Sequence, residues 1–196
     1  MLEQNSKEIH VYVGTYTNSS NNKGIYVYRI NSDSGALEFV STTEGIENPS
    51  FLDIDSQRKH LYSVNEVGEF SGEASGAVTA FSIDSKTGKL TYLNQQSSQG
   101  KGPCHLSVDK TGQYVLVANY GGGSVSILPI QRDGQIGEAT DFVQHQGSSV
   151  NQNRQQEPHA HSIMIDPNNR YAFAADLGVD KILIYQLDLA AGKLIP

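Results

Sequence analysis

Gly102-Pro103-Cys104-His105-Leu106-Ser107-Val108-Asp109 is one of three segments in this chain that run from a loop through apolar residues to a closing aspartate. The other two are Asn48-Pro49-Ser50-Phe51-Leu52-Asp53-Ile54-Asp55 and Pro158-His159-Ala160-His161-Ser162-Ile163-Met164-Ile165-Asp166. Each is followed by a polar turn and a second apolar segment, at 61–66, 114–120 and 171–177. A third segment comes next, at 77–83, 124–130 and 181–187. The closing aspartates lie 54 and 57 residues apart, as do the polar residues near the ends of the second segments, Asn65, Asn119 and Asp176. Two markers that keep one period identify a repeat rather than a succession of unrelated strands.

A fourth segment follows a Gly-containing turn at 90–95, and the same turn-plus-strand pattern occurs at 34–39 and 191–195. Four antiparallel strands in about 50 residues make a propeller blade. Val115-Leu116-Val117-Ala118 and Ala172-Phe173-Ala174-Ala175 are nearly continuous apolar runs. Stacked blades require such runs, because their inner strands are covered on both faces. A β-sandwich would explain the strands but not the period. The expected fold is therefore all-β, a β-propeller forming one unit over residues 1–196. It has a partial blade at about 9–45, complete blades at 46–98 and 99–145, and a partial blade at 157–196, with a long polar loop at 144–157. That is about three and a half four-stranded blades, whereas closed rings have about 4 to 8, so the sequence is expected to be part of a larger ring.

The formal charge of -7 argues against a nucleic-acid or membrane-surface partner, since both need a cationic face. No apolar run approaches the ~18 residues of a membrane span. The opening residues lack the apolar centre of an export signal. Cys104 is the single cysteine and has no disulfide partner in the chain, which fits a reducing compartment and a cytoplasmic location.

The order of motifs resembles the lactonase, seven-bladed β-propeller family, which includes bacterial 6-phosphogluconolactonases. The resemblance rests on Val13-Gly14-Thr15-Tyr16-Thr17, Asn48-Pro49-Ser50-Phe51-Leu52 and Gly100-Lys101-Gly102-Pro103-Cys104-His105. It rests further on Ala118-Asn119-Tyr120-Gly121-Gly122-Gly123-Ser124-Val125, His159-Ala160-His161-Ser162 and Ala175-Asp176-Leu177-Gly178-Val179-Asp180-Lys181-Ile182. It implies seven blades and hydrolysis of 6-phospho-D-glucono-1,5-lactone, the phosphorylated sugar lactone of the pentose phosphate pathway. Some relatives of the same fold form lactones from muconates instead. The family's later blades carry an arginine and a glutamate thought to work at the site. Those blades have no equivalents here, so the chain alone is expected to lack part of the machinery.

Lactone opening needs a base for water and a group that stabilises the developing oxyanion. A phosphate needs cations or backbone amides. In a propeller such groups gather where the first strands begin, at the mouth of the central channel. His161 matches the family's histidine motif and is the expected catalytic base, because a neutral imidazole with a pKa near ~6.5 accepts a proton at neutral pH. The expected substrate-binding residues are His159, His105, Asp176, Lys101 and Arg154, the last two as phosphate cations. The bland alternatives are loop-fixing histidines, strand-end caps at Asn65, Asn119 and Asp176, and solvated surface cations. Gly121-Gly122-Gly123 is expected to be a tight hairpin rather than a phosphate loop, since a strand follows it.

His159 and His161 also have a spacing that suits two ligands on one side of a strand, with His105 or Glu157 as a third. Two histidines are not a metal signature, and no metal or other cofactor is assigned. A propeller that binds a ligand or protein without chemistry shares these features, and the fold does not choose between them. An open last blade would expose an apolar face and invite self-association.

Overall fold

The computed structural model describes residues 9–196, and all its regular structure is strand. The first eight residues, part of the segment read for an export signal, lie outside the described residues. Fifteen strands form four antiparallel sheets in which neighbours in sequence are neighbours in space. The first sheet holds β1 (Ile9–Val13), β2 (Gly24–Ile30) and β3 (Leu37–Glu44). The second holds β4 (Leu52–Ile54), β5 (His60–Asn65), β6 (Ala77–Ile83) and β7 (Leu90–Ser97). The third holds β8 (Pro103–Val108), β9 (Tyr114–Asn119), β10 (Ser124–Pro129) and β11 (Asp141–Gln144). The fourth holds β12 (Ala160–Ile165), β13 (Tyr171–Asp176), β14 (Lys181–Asp188) and β15 (Lys193–Ile195).

The sheets stack face on face, and the period-2 alternation of a strand assigns each residue to one neighbour or the other. In β5, Leu61 joins Ile25 and Phe81 in the core against the first sheet. Tyr62 and Val64 join Leu106, Val115 and Val117 against the third sheet. In β9 the partition repeats, with Leu116 and Ala118 packing on Ala160, Ile163, Ala172 and Ala174 of the fourth sheet. This is why the inner strands read as continuous apolar runs. The innermost strands also bond across sheets: Val108 N donates to Asp53 Oδ2 at 2.9 Å, and Ile163 N donates to His105 Nδ1 at 3.3 Å.

The recurring aspartates organise the first turn of each sheet. Asp109 Oδ1 accepts from the amides of Gln113 and Tyr114 at 2.6 and 2.7 Å. Asp166 Oδ1 does the same for Arg170 and Tyr171. Asp55 accepts from Lys59 N and pairs with His60 Nδ1.

Bulges give the alignment of the sheets. β2 and β3 shift register between Val27 and Tyr28, as β6 and β7 do between Ala80 and Phe81. The three strands of the first sheet therefore correspond to the second, third and fourth of the next, and among the described residues it has no counterpart of the innermost strand. β5, β9 and β13 each stop one residue before the ends read from the sequence, which frees Glu66, Tyr120 and Leu177 from the sheets.

Candidate active site

Two positions of the repeat build a cavity at the mouth. The residue at the start of each inner strand is Ser50, Cys104 or His161, spaced 54 and 57 apart like the aspartates. The residue just past each second strand is Tyr16, Glu66 or Tyr120, because Thr15 lies opposite Gly24 as Asn65 lies opposite Ala77. These six, with Arg154 from the loop before β12, line a cavity of about 260 Å³.

Asn48 fixes one wall. Its Oδ1 accepts from Thr17 N and Asn18 N, its Nδ2 donates to Glu66 O, and its own carbonyl accepts from Glu66 N. Tyr16 Oη and Ser50 Oγ both donate to Glu66 Oε2, at 2.7 and 2.6 Å. That double donation leaves Oε1 for a ligand. The Glu66 carboxylate, accepting its hydrogen bond, holds the Tyr16 phenol protonated above its ordinary range, and burial adds to this. Burial, then the negative charge of Glu66, pushes the Cys104 thiol up to about 12. Neither group is a nucleophile at neutral pH.

The other wall is aromatic. Tyr120 stacks on His159 with centroids 4.7 Å apart, and His161 meets the same ring edge-on at 5.7 Å. His159 Nδ1 lies 3.0 Å from the Tyr120 carbonyl, which can only accept, so Nδ1 carries the proton. Arg154 Nη2 donates to Tyr120 Oη at 3.3 Å, leaving the phenolic hydrogen to point at a ligand oxygen. A base, a carboxylate, a phenol and a guanidinium thus face one space, the donor set that a polyhydroxylated anion with a reactive carbonyl requires.

Of the expected residues, His161 and Arg154 line this cavity together, and the others stand outside it. His159 braces Tyr120 and stands outside the cavity lining. The register shift between Ala160 and Ser162 makes His161 the bulged residue, so strand alternation does not aim the two imidazoles alike. His105 is half-buried on the Phe51 ring at 4.2 Å, and its Nδ1 is taken by Ile163 N. Burial, then the neighbouring His161, lowers its pKa to about 4. Asp176 borders a neighbouring hollow of about 420 Å³ with His161, but its side chain has no exposed surface: Oδ2 pairs with His145 Nδ1 at 2.5 Å, and Oδ1 accepts from His159 N and Gly178 N. Lys101 is exposed outside the lining, and its backbone carbonyl accepts from Gly122 N in the Gly121-Gly122-Gly123 hairpin. Among the described residues, no three His, Cys, Asp or Glu side chains converge as metal ligands would.

Tyr16, Ser50 and Tyr120 were not assigned from the sequence, although the repeat marks them. The closing aspartates recur unchanged, whereas Ser50, Cys104 and His161 differ at one position and Glu66 stands between Tyr16 and Tyr120 at the other. A larger cavity of about 840 Å³ opens at the outer edge between Phe70, Glu73, Glu138 and Phe142. It does not suit an anion, because its Lys193 is already bonded to Asp141 Oδ1 and Thr140 O.

Residues 10–196 match the family described as lactonase, 7-bladed β-propeller. The 6-phosphogluconolactonase of Bacillus subtilis (strain 168) is 36% identical over 176 residues, 90% of this chain and 48% of that protein. A crystal structure of a Bacteroides fragilis protein superposes with a TM-score of 0.88 at 37% identity, covering 96% of this chain and 51% of that one. The periplasmic gluconolactonase of Pseudomonas aeruginosa gives a TM-score of 0.85 at 31% identity, over 96% of this chain and 53% of that one. The chain spans about half the length of these relatives.

Proposed function

The chain belongs to the seven-bladed β-propeller lactonase family, and from that premise we propose that it carries the base and the substrate-binding side of a hydrolase for 6-phospho-D-glucono-1,5-lactone. The observation that supports this reading is the shared cavity of His161, Glu66, Tyr120 and Arg154. Water oxygen adds to the lactone carbonyl carbon while His161 takes its proton. Tyr120, its oxygen already bonded by Arg154, donates its hydrogen to the developing oxyanion. The ring carbon–oxygen bond then breaks, the ring oxygen regains a proton, and the open-chain acid ionises to its carboxylate. Glu66 Oε1 accepts from sugar hydroxyls, and Arg154 meets the phosphate.

Turnover of 6-phosphogluconolactone above its spontaneous rate tests this, in the chain and in a version extended to its relatives' length. His161→Ala is expected to cost about 10²-fold or more where a base is lost. Turnover unchanged by His161→Ala contradicts the assignment. We place the reaction in the cytoplasm, on the strength of the single Cys104. Among the described residues, no helix is long and apolar enough to cross a membrane. Self-association through the open face of β12–β15 belongs to the same proposal, supported by exposed Met164, Ile182 and Ile184.

A further inference from the structure

The guanidinium in the cavity comes from a loop whose composition gives it little reason to hold a shape. Residues 146–157 contain one apolar side chain, Val150, and it is 87% exposed. Yet the segment is closed on itself. Ser149 N donates to Gln155 O at 2.9 Å, Gln155 N to Asn151 O at 2.7 Å, and Arg154 N to the same carbonyl at 3.0 Å. Gln155 is the buried member, 8% exposed between exposed neighbours. Its amide is fully used: Oε1 accepts from Asn151 N at 2.8 Å, and Nε2 donates to Leu177 O at 2.8 Å and Asp180 Oδ1 at 2.6 Å. The other Asp180 oxygen accepts from Ser149 Oγ at 2.5 Å. One glutamine and one aspartate therefore rivet the loop to the turn between β13 and β14.

We infer that Gln155 is a positioning residue that holds Arg154 at the mouth as the group selecting phosphorylated over unphosphorylated sugar acids and lactones. The inference rests on the hydrolase reading for the identity of the ligand. Arg154 is exposed, its guanidinium donates to the neutral Tyr120 hydroxyl, and no carboxylate of the described residues pairs with it. In a chain of net charge -7, that leaves a local cation for an external anion. Its planar fork suits a phosphate, which it can engage bidentately. Glu66 across the cavity repels a dianion and accepts hydroxyls, so the two walls set which end of a phosphosugar lies where. An arginine on a free loop would lose rotamer and backbone freedom on binding, and the Gln155–Asp180 joint removes most of that cost beforehand.

The test uses 6-phosphogluconate and gluconate, titrated calorimetrically into the chain, with the Arg154 Nε–H resonance followed by NMR. The unaltered chain is expected to prefer the phosphorylated ligand by about tenfold or more, the worth of a charge-assisted contact. Arg154→Gln and Gln155→Leu should each bring the ratio near one, and the double variant should add nothing. The Arg154 resonance should be dispersed in the unaltered chain and collapse to its random-coil position in Gln155→Leu. A Gln155→Leu protein that melts earlier but keeps both the preference and the dispersed resonance overturns the positioning role and leaves the hydrolase reading standing. An unaltered chain with no preference, although the resonance is dispersed, overturns the phosphate role of Arg154 and the phosphosugar reading with it.

Discussion

His105 shows how a single residue can look like a ligand and act as a support. Its imidazole lies between Phe51 and the backbone of β12, and its Nδ1 must stay unprotonated to accept from Ile163 N. Burial, then the nearby His161, lowers its pKa from 6.5 to about 4. The unfolded chain therefore takes up a proton below about 6.5 that the folded chain refuses until about 4. Stability is expected to fall as pH drops through that window, with no further loss from this group below it. His105→Gln keeps an acceptor without the titration. Denaturant unfolding at pH 7 and pH 4.5 should show a smaller loss for the variant than for the unaltered chain. An equal loss would remove the role given to His105.

At the scale of the element, the polar residue closing each second strand is a strap between neighbouring sheets. Asn65 Nδ2 donates to Glu47 O at 2.7 Å, Asn119 Nδ2 to Ser98 O at 3.2 Å, and Asp176 pairs with His145, whose other nitrogen meets Tyr185 Oη at 2.9 Å. Each reaches the segment leaving the preceding sheet's outer strand. Asp176→Ala strands a buried imidazole and two amides and is expected to cost about 3 kcal/mol. Asp176→Asn, which reproduces the Asn119 chemistry, should cost much less and leave ligand affinity unchanged. Denaturant melts and titrations of both variants check this, and lost affinity in a stable Asp176→Asn protein would return Asp176 to the site. The strap also shows what was legible in the sequence. The period marks Asp176 as one of a series with Asn65 and Asn119, which leaves both a cap and a ligand contact open for it. Its pairing with His145, 31 residues away, depended on sheet stacking that no local pattern reveals. The same holds for Glu66, which becomes a mouth residue because β5 stops at Asn65.

For the whole molecule, the repeat fixes an arc of stacked sheets, and the fourth sheet carries apolar side chains on both faces. Leu183, Tyr185 and Leu187 of β14 face the third sheet, while Ile182 and Ile184 on the other face are 67% and 55% exposed, and Met164 is 54% exposed. Burying such side chains is worth roughly 1.5–3 kcal/mol each, so the chain is expected to associate through this face. Sedimentation should show concentration-dependent oligomers that Ile182→Lys with Ile184→Glu disperses. A monomer at all concentrations would contradict this expectation. The arc also places the mouth residues of all four sheets around one cavity, and the functional reading rests on that convergence. Mapping backbone and side-chain NMR shifts of the chain on titration with 6-phosphogluconate tests it most directly. Perturbations are expected to concentrate at Tyr16, Glu66, Tyr120, Arg154 and His161. Saturating shifts at the outer groove of Phe70, Glu138 and Phe142, with the mouth unmoved, would contradict it.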